Sequence, residues 1–278
     1  MTIVQFFCLS NRVKAEESSA NVAIEANVAK ENKEEFIYDY KLSYRHNDDP
    51  SLLVGFFLVD LRNNPQEHSL TYDHANLEYS DGEHYVIFEK APRVYPVKKQ
   101  GPSLWTHASA MEKPYHGWWS CPIWTKEGEI KPGQKLSGFG FVAKEPPGIR
   151  GFIVNASNDI DNKEEYSGQT ISPVAPPDPL TASAWTARML SDAAEARKLG
   201  WIKSDQQLEK IKKLISDLNT QDKKKLKKSV QNIEKYVSRE HEAGRLTDEA
   251  DALVRLNALY LWNRLHGKNS LDKKELKK

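Results

Sequence analysis

Residues 117–156 read GWWSCPIWTKEGEIKPGQKLSGFGFVAKEPPGIRGFIVNA, and this stretch decides the fold. At Lys131-Pro132-Gly133, proline presets φ for the first corner of a turn and glycine accepts the positive φ that follows. Beyond it, Leu136, Gly138 and Gly140 alternate with Ser137, Phe139 and Phe141. Period-two alternation puts the two phenylalanines on one face of a strand and the glycines on the other. Pro146-Pro147-Gly148 then turns the chain into a second alternating run, with Phe152 and Val154 set against Gly151 and Ile153. Two aromatic-rich strands joined by a short loop predict a hairpin, and its apolar face requires a second layer.

Working outward, Phe36, Tyr38, Tyr40, Leu42 and Tyr44 lie at strict period two and mark a strand. Leu53–Leu61 (LVGFFLVDL) follows the turn cluster Asn47-Asp48-Asp49-Pro50 and is expected to pair antiparallel with that strand as a hairpin. Val22, Ile24 and Ala26 offer an edge strand, Tyr85–Phe88 another, and Val94–Val97 a further short one. Several strands spaced by turns, with no helical period between them, predict an antiparallel β-sandwich of immunoglobulin-like type over 16–156. Residues 157–177, polar and ending in Pro173, Pro176 and Pro177, are expected to be an extended linker.

From Asp178 the period changes to near 3.6. Asp178 and Pro179 suit an N-cap and first helical position. Ala182, Trp185, Met189, Ala193 and Ala196 form the first stripe, closed by Gly200. Ser204 with Gln207 is a capping box, and Leu208, Ile211, Ile215 and Leu218 follow. Thr220 is expected to cap a third helix striped by Leu226, Val230, Ile233 and Val237. Thr247 opens a fourth with Ala250, Leu253, Val254, Leu261 and Leu265, ended by Gly267. Short connections predict a small antiparallel bundle over 178–267, followed by a charged tail over 268–278. The fold class is therefore β + α in two domains, each burying its own core and folding alone.

Charge separates along the chain although the net is +1. Residues 198–278 hold 20 Lys/Arg and 12 Asp/Glu, against 20 and 27 in the remainder. An acidic front and a basic back point to two surfaces. Residues 1–15 read as the remnant of a signal peptide, with an apolar run at Ile3–Leu9 and the small-residue pattern Val13-Lys14-Ala15 before a polar stretch. The expected compartment is extracellular or the cell envelope, with the cytoplasm as the alternative. No apolar run reaches the roughly 18 residues of a membrane span.

The strand order, with GW, IKPGQKLSGFGF, a PPG turn and a Pro-rich linker, resembles an uncharacterised β-rich domain of bacterial secreted proteins. LGWI, a lysine-rich pair of capped helices and LTDEADALVRLNALYLWNRL are similar to the FIMAH-type helical module, over about residues 180–266. The resemblance implies an extracellular or envelope protein. It transfers no catalytic residue.

Motifs for acyl transfer, nucleotide binding and zinc hydrolysis (GxSxG, the P-loop, GxGxxG and HExxH) are absent. Cys8 and Cys121 form no CxxC, and no zinc spacing, metal site or cofactor is implied. Candidate ligand contacts are Trp105, Trp118, Trp119 and Trp124, aromatics able to plug a sandwich end or to stack on a sugar ring. Lys223, Lys224, Lys225, Lys227 and Lys228 coat one helix, either as solvated surface or as an attraction for an anionic polymer or lipid surface. Arginine-plus-aromatic patterning for base readout is lacking, so specific nucleic-acid recognition is not expected. The favoured reading is a non-enzymatic exported protein with a binding or structural sandwich and a helical docking module for a protein or envelope polymer. A carbohydrate-binding sandwich using the tryptophans stands beside it. So does a hydrolase with a site in the 62–113 loops, where His68, His74, His84 and His107 lie, with His116 just beyond them.

Overall fold

The computed structural model describes residues 21–30, 32, 35–45, 49–60, 94–96, 106–107, 116–120, 129–158 and 163–266. The class is mixed, with antiparallel sheets followed by helices. The chain divides into two compact units. The first takes in described residues of Met1–Ala26, Ile37–Lys144 and Ile149–Ser172; the second takes in those of Asn27–Phe36, Glu145–Gly148 and Pro173–Lys278.

The strands are β1 (Val22–Lys30), β2 (Phe36–Tyr44), β3 (Leu53–Asp60), β4 (Val94–Pro96), β5 (Thr106–His107), β6 (His116–Ser120), β7 (Lys135–Ala143), β8 (Pro147–Ser157) and β9 (Lys163–Pro173). One sheet has the order β1-β2-β7-β4 and the other β5-β6-β3-β8-β9. The period-two residues of β2 are buried throughout, from Phe36 to Tyr44. β1 takes the expected edge position, and β4 falls where Val94–Val97 pointed.

Both expected hairpins are corrected. β2 lies in one sheet and β3 in the other, as do β7 and β8, so neither sequence-adjacent pair is hydrogen-bonded. β3 pairs instead with β6 and β8, Leu58 opposing Trp118 on one side and Ile153 on the other. The physical reason is the two-layer requirement itself: crossing between sheets lets each aromatic face meet the other. Phe57 of β3 meets Phe139 of β7 edge-on, with centroids 4.7 Å apart. Tyr44 and Tyr166 meet at 5.9 Å, and the Tyr40 hydroxyl donates to the Ile171 carbonyl at 2.9 Å. The continuous apolar run of β3 fits a strand covered on both faces, and its register slips beside Gly55, between Val54 and Phe56. Gly133 has φ +86°, as the turn requires, and its N–H donates to the Tyr44 carbonyl.

The expected linker is also corrected, since residues 163–173 form β9. Its buried positions include Thr170 and Ser172, polar residues that hide the strand from a hydropathy reading. Ser172 donates to the Asp60 carbonyl at 2.9 Å. A Cβ at Gly168 would come within 2.6 Å of Phe152 Cζ, so glycine leaves room for the tip of that ring beside β9.

The helical unit holds α1 (Ala182–Lys198), α2 (Asp205–Ser216), α3 (Lys223–Glu242), α4 (Asp248–Asp251), a π-helical segment (Ala252–Leu256) and α5 (Asn257–His266). Its apolar stripes point inward as their spacing requires, with Trp185, Ile211, Ile215, Ile233 and Val237 all fully buried. Two caps move. Thr181, not Asp178, starts α1, because its hydroxyl accepts from the Ala184 N–H at 3.1 Å. Asp222, not Thr220, starts α3, accepting from the N–H groups of Lys224 and Lys225. Ser204 and Thr247 cap as expected. Leu265 is exposed rather than inward, lying in the last turn of α5. The turn Pro146-Pro147-Gly148 belongs to this unit: the Pro147 carbonyl accepts from Arg188 at 3.0 Å and from the Asn257 amide at 2.9 Å. Gly267 and Tyr85–Phe88 lie outside the described residues.

Candidate functional site: a cationic face on the helical unit

The sequence places Leu226, Val230, Ile233 and Val237 on the buried stripe of α3. Lys223, Lys224, Lys225, Lys227 and Lys228 therefore fall outside the stripe, and all five are exposed. Lys223 alone leans on an aromatic ring, 5.9 Å from the centre of Trp262. The first turn of α3 contains no acidic residue, and Asp222 supplies the local negative charge as the cap.

A second cationic group lines a groove of about 750 Å³ between α2 and α3. Lys210 and Lys213 project from α2, and Tyr236 and Arg239 from α3. Lys203 and Arg245 close one end. That end is fixed by two loops, each following a glycine of positive φ, Gly200 and Gly244. Ile202 and Leu246 pair as a β-bridge, the Trp201 carbonyl accepts from Thr247 N–H at 3.2 Å, and Lys203 Nζ donates to the Gly244 carbonyl at 2.6 Å.

Glu240 is the charged keystone of the groove. It continues the α3 stripe three residues after Val237, and it is buried. Arg245 donates twice, at 2.7 and 3.0 Å; Arg239 Nη2 donates at 3.0 Å; Gln207 Nε2 donates at 3.2 Å. The Gln207 of the capping box thus divides its side chain, its Oε1 accepting from the Ser204 hydroxyl at 3.2 Å and its Nε2 donating to Glu240. These hydrogen bonds, Arg245 first, pull the carboxyl down to about 2 against the opposing effect of burial. The Tyr236 hydroxyl shifts the other way, upward, by burial first and the Glu240 charge second, so it stays a neutral donor.

A pH dependence follows. Glu240 has a folded pKa below its ordinary 4.5, so its stabilisation is complete above that value and disappears as pH falls toward about 2. Melting temperature of the helical unit should drop through that window, and Glu240→Gln should flatten the drop. Parallel melting curves for the two proteins across this range would contradict the assignment.

Of the other candidates, Trp118 and Trp119 occupy consecutive positions of β6, registered opposite Leu58 and Phe57 of β3. His107 and His116 lie on β5 and β6, opposite Trp119 and Asp60. Trp105, Trp124, Cys8, Cys121, His68, His74 and His84 lie outside the described residues. Among the described residues, no group of three His, Cys, Asp or Glu could hold a metal ion, and no helix is long and apolar enough to cross a membrane. The groove was missed from sequence because Lys210, Lys213 and Arg239 read as ordinary solvated positions. The signal available was Glu240, a charge on an apolar stripe.

No protein-family model matches the chain, and no curated protein matches it. Among solved structures, it is similar to the seventh ScaB type I cohesin from Pseudobacteroides cellulosolvens, at 9% identity and a TM-score of 0.25. That likeness covers 57% of this chain and 96% of the cohesin.

Proposed function

We propose that the chain is a non-enzymatic, exported or envelope-associated binding protein of two domains. In this reading an immunoglobulin-like β-sandwich is followed by a FIMAH-like helical bundle that docks to an anionic envelope surface. One observation carries it. Lys223, Lys224, Lys225, Lys227 and Lys228 crowd the first two turns of α3, exposed, with no acidic residue in the first turn. A helix N-terminus already carries positive partial charge, so folding alone favours acids there. Stacking five cations on it raises a local positive potential that serves attraction of a negative surface.

The test is co-sedimentation of the full chain with isolated bacterial cell envelopes. The wild type should pellet at about 50 mM salt and be released by about 200 mM, as expected for binding carried by several charge contacts. The variant K223Q/K224Q/K227Q/K228Q should stay in the supernatant at both. A wild type that stays in solution at low salt, or a variant that pellets equally, would overturn the reading.

A further inference from the structure

The lysine-bearing end of α3 has an apolar neighbour. α3 and α5 pack together and the chain reverses between them, so the start of α3 meets the last turns of α5. The contact is direct, since Lys223 Nζ lies 5.9 Å from the centre of the Trp262 ring. Leu265 and His266 follow Trp262 by three and four residues and so share one side of α5 with it. The Trp262 and His266 rings stand there with centroids 5.1 Å apart. Leu265 also continues the α5 stripe one turn after Leu261. Leu261 is fully buried, whereas Leu265 is 37% exposed, the one large hydrophobic residue so open among the described residues. Trp262 is half-buried.

The charge of this corner is one-sided. α5 and the first two turns of α3 contain no acidic residue. Among the described residues, no salt bridge involves Lys223, Lys224, Lys225, Lys227 or Lys228. The adjacent Asp222 carboxylate accepts from the N–H groups of Lys224 and Lys225 as the cap. Arg264, also exposed, adds a cation to α5 next to Leu265.

Charge and apolar surface together narrow what covers the corner. A second copy of this end would press lysine on lysine. A soluble anionic polymer takes up the charge but leaves Leu265 and the open edge of Trp262 in water. Protein partners are ordinarily met by arginine and aromatic residues, with lysine depleted from the contact. An anionic bilayer accepts both parts. Its phosphates meet ammonium groups at the ends of flexible stems, and its headgroup–acyl boundary takes leucine and indole. Tryptophan suits that depth because its ring is apolar while its N–H still reaches polar groups.

We infer that this corner of the helical unit docks on an anionic phospholipid bilayer. Trp262 and Leu265 enter the headgroup–acyl boundary, and Lys223, Lys224, Lys227 and Lys228 meet the phosphates. The inference rests on the docking reading of the α3 lysines and names the surface they meet.

The experiment mixes the full chain with vesicles of phosphatidylcholine containing about a quarter phosphatidylglycerol, and with vesicles of phosphatidylcholine alone. The wild type should float with the anionic vesicles at about 50 mM salt and not with the neutral ones. K223Q/K224Q/K227Q/K228Q should bind at least about a hundredfold more weakly, at roughly fivefold per lysine near a charged surface. Leu265→Gln should weaken binding about fivefold or more. Leu265 is exposed, so an unchanged melting curve shows that the variant is folded. Insertion has its own readout. Vesicles with brominated upper acyl carbons should quench the tryptophan emission of bound wild type. Trp262→Phe, which keeps an aromatic ring at the site, should still bind and lose most of that quenching. Overturning results are no binding to anionic vesicles, equal binding to neutral ones, Leu265→Gln or the lysine variant binding as tightly as wild type, or quenching unchanged in Trp262→Phe. Wild type that pellets with whole envelopes but does not bind vesicles overturns the bilayer inference alone and leaves docking to an envelope polymer. Wild type that binds neither removes the docking reading as well.

Discussion

Trp185→Ala should largely unfold the helical unit. Trp185 is fully buried in the middle of the first apolar stripe. Its ring packs on Tyr260 at 5.2 Å, the Arg188 guanidinium lies 4.6 Å from its centre, and its indole N–H donates to the Asn257 carbonyl at 3.0 Å. Removing the ring takes away transfer energy and leaves a cavity, a change that costs about 3–5 kcal/mol for large aromatic residues. It also removes the hydrogen bond to the carbonyl of Asn257, the first residue after the π-helical segment. Asn257 further donates its side-chain amide to Leu253 and Pro147, so the position joins α1, α5 and the Pro146–Gly148 turn. A core of this size yields only a few kcal/mol of net stability, so a loss of that order exhausts it. Urea unfolding of the full chain, followed by hydrogen exchange peptide by peptide, checks it. Peptides of α1, α3 and α5 should lose protection, while those of β2, β3 and β8 keep it. Trp185→Phe retains most of the packing and loses the hydrogen bond, so it should fall between the two. A destabilisation below about 1 kcal/mol for Trp185→Ala would show that the burial is not what holds the unit.

Some of this architecture was legible and some was not, for reasons that can be named. Strand β2 was readable because Phe36, Tyr38, Tyr40, Leu42 and Tyr44 are large, apolar and strictly alternating, and every one of them is buried. The helical stripes were readable for the same kind of reason, since 3.6 periodicity survives any arrangement of the helices. Pairing was not readable. Sequence adjacency favoured β2 with β3 and β7 with β8, but adjacency carries no information on which sheet a strand joins, and two aromatic faces are better buried against each other. β9 was hidden because Thr170 and Ser172 fill its buried face in place of aliphatic residues. Helix starts were readable to within a few residues only. Asp178 and Thr181 are both acceptable caps, and the one whose oxygen reaches the open Ala184 N–H is settled by geometry. The groove follows the same pattern. Its lysines carry no periodic signal, while Glu240 sits on the α3 stripe at the same spacing as the leucine and valines around it. A charge at such a place asks for partners, and Arg239, Arg245 and Gln207 are those partners.

The converse experiment belongs to the β unit. Phe57 and Phe139 come from opposite sheets, both fully buried, and their rings meet at 81° with centroids 4.7 Å apart. This edge-to-face geometry places the positive edge of one ring on the negative face of the other and adds about 0.5–1.5 kcal/mol beyond area burial. Phe57→Ala is expected to cost about 3–5 kcal/mol, and Phe139→Ala a similar amount. Because each single change already removes the ring pair, the double variant should cost less than the sum by about 0.5–1.5 kcal/mol. Phe57→Leu, which keeps much of the volume, should cost less than either alanine change. Equilibrium denaturation of the four proteins, again read by hydrogen exchange, gives both quantities at once. Under the two-domain proposal, lost protection should be confined to β2, β3, β7, β8 and β9, with α1, α2 and α3 exchanging as in the wild type. Strict additivity would mean that the rings do not touch in solution and that the sheets are layered differently. Loss of protection in the helices together with the strands would mean a single cooperative core, and the proposal of two independently folding domains would fall.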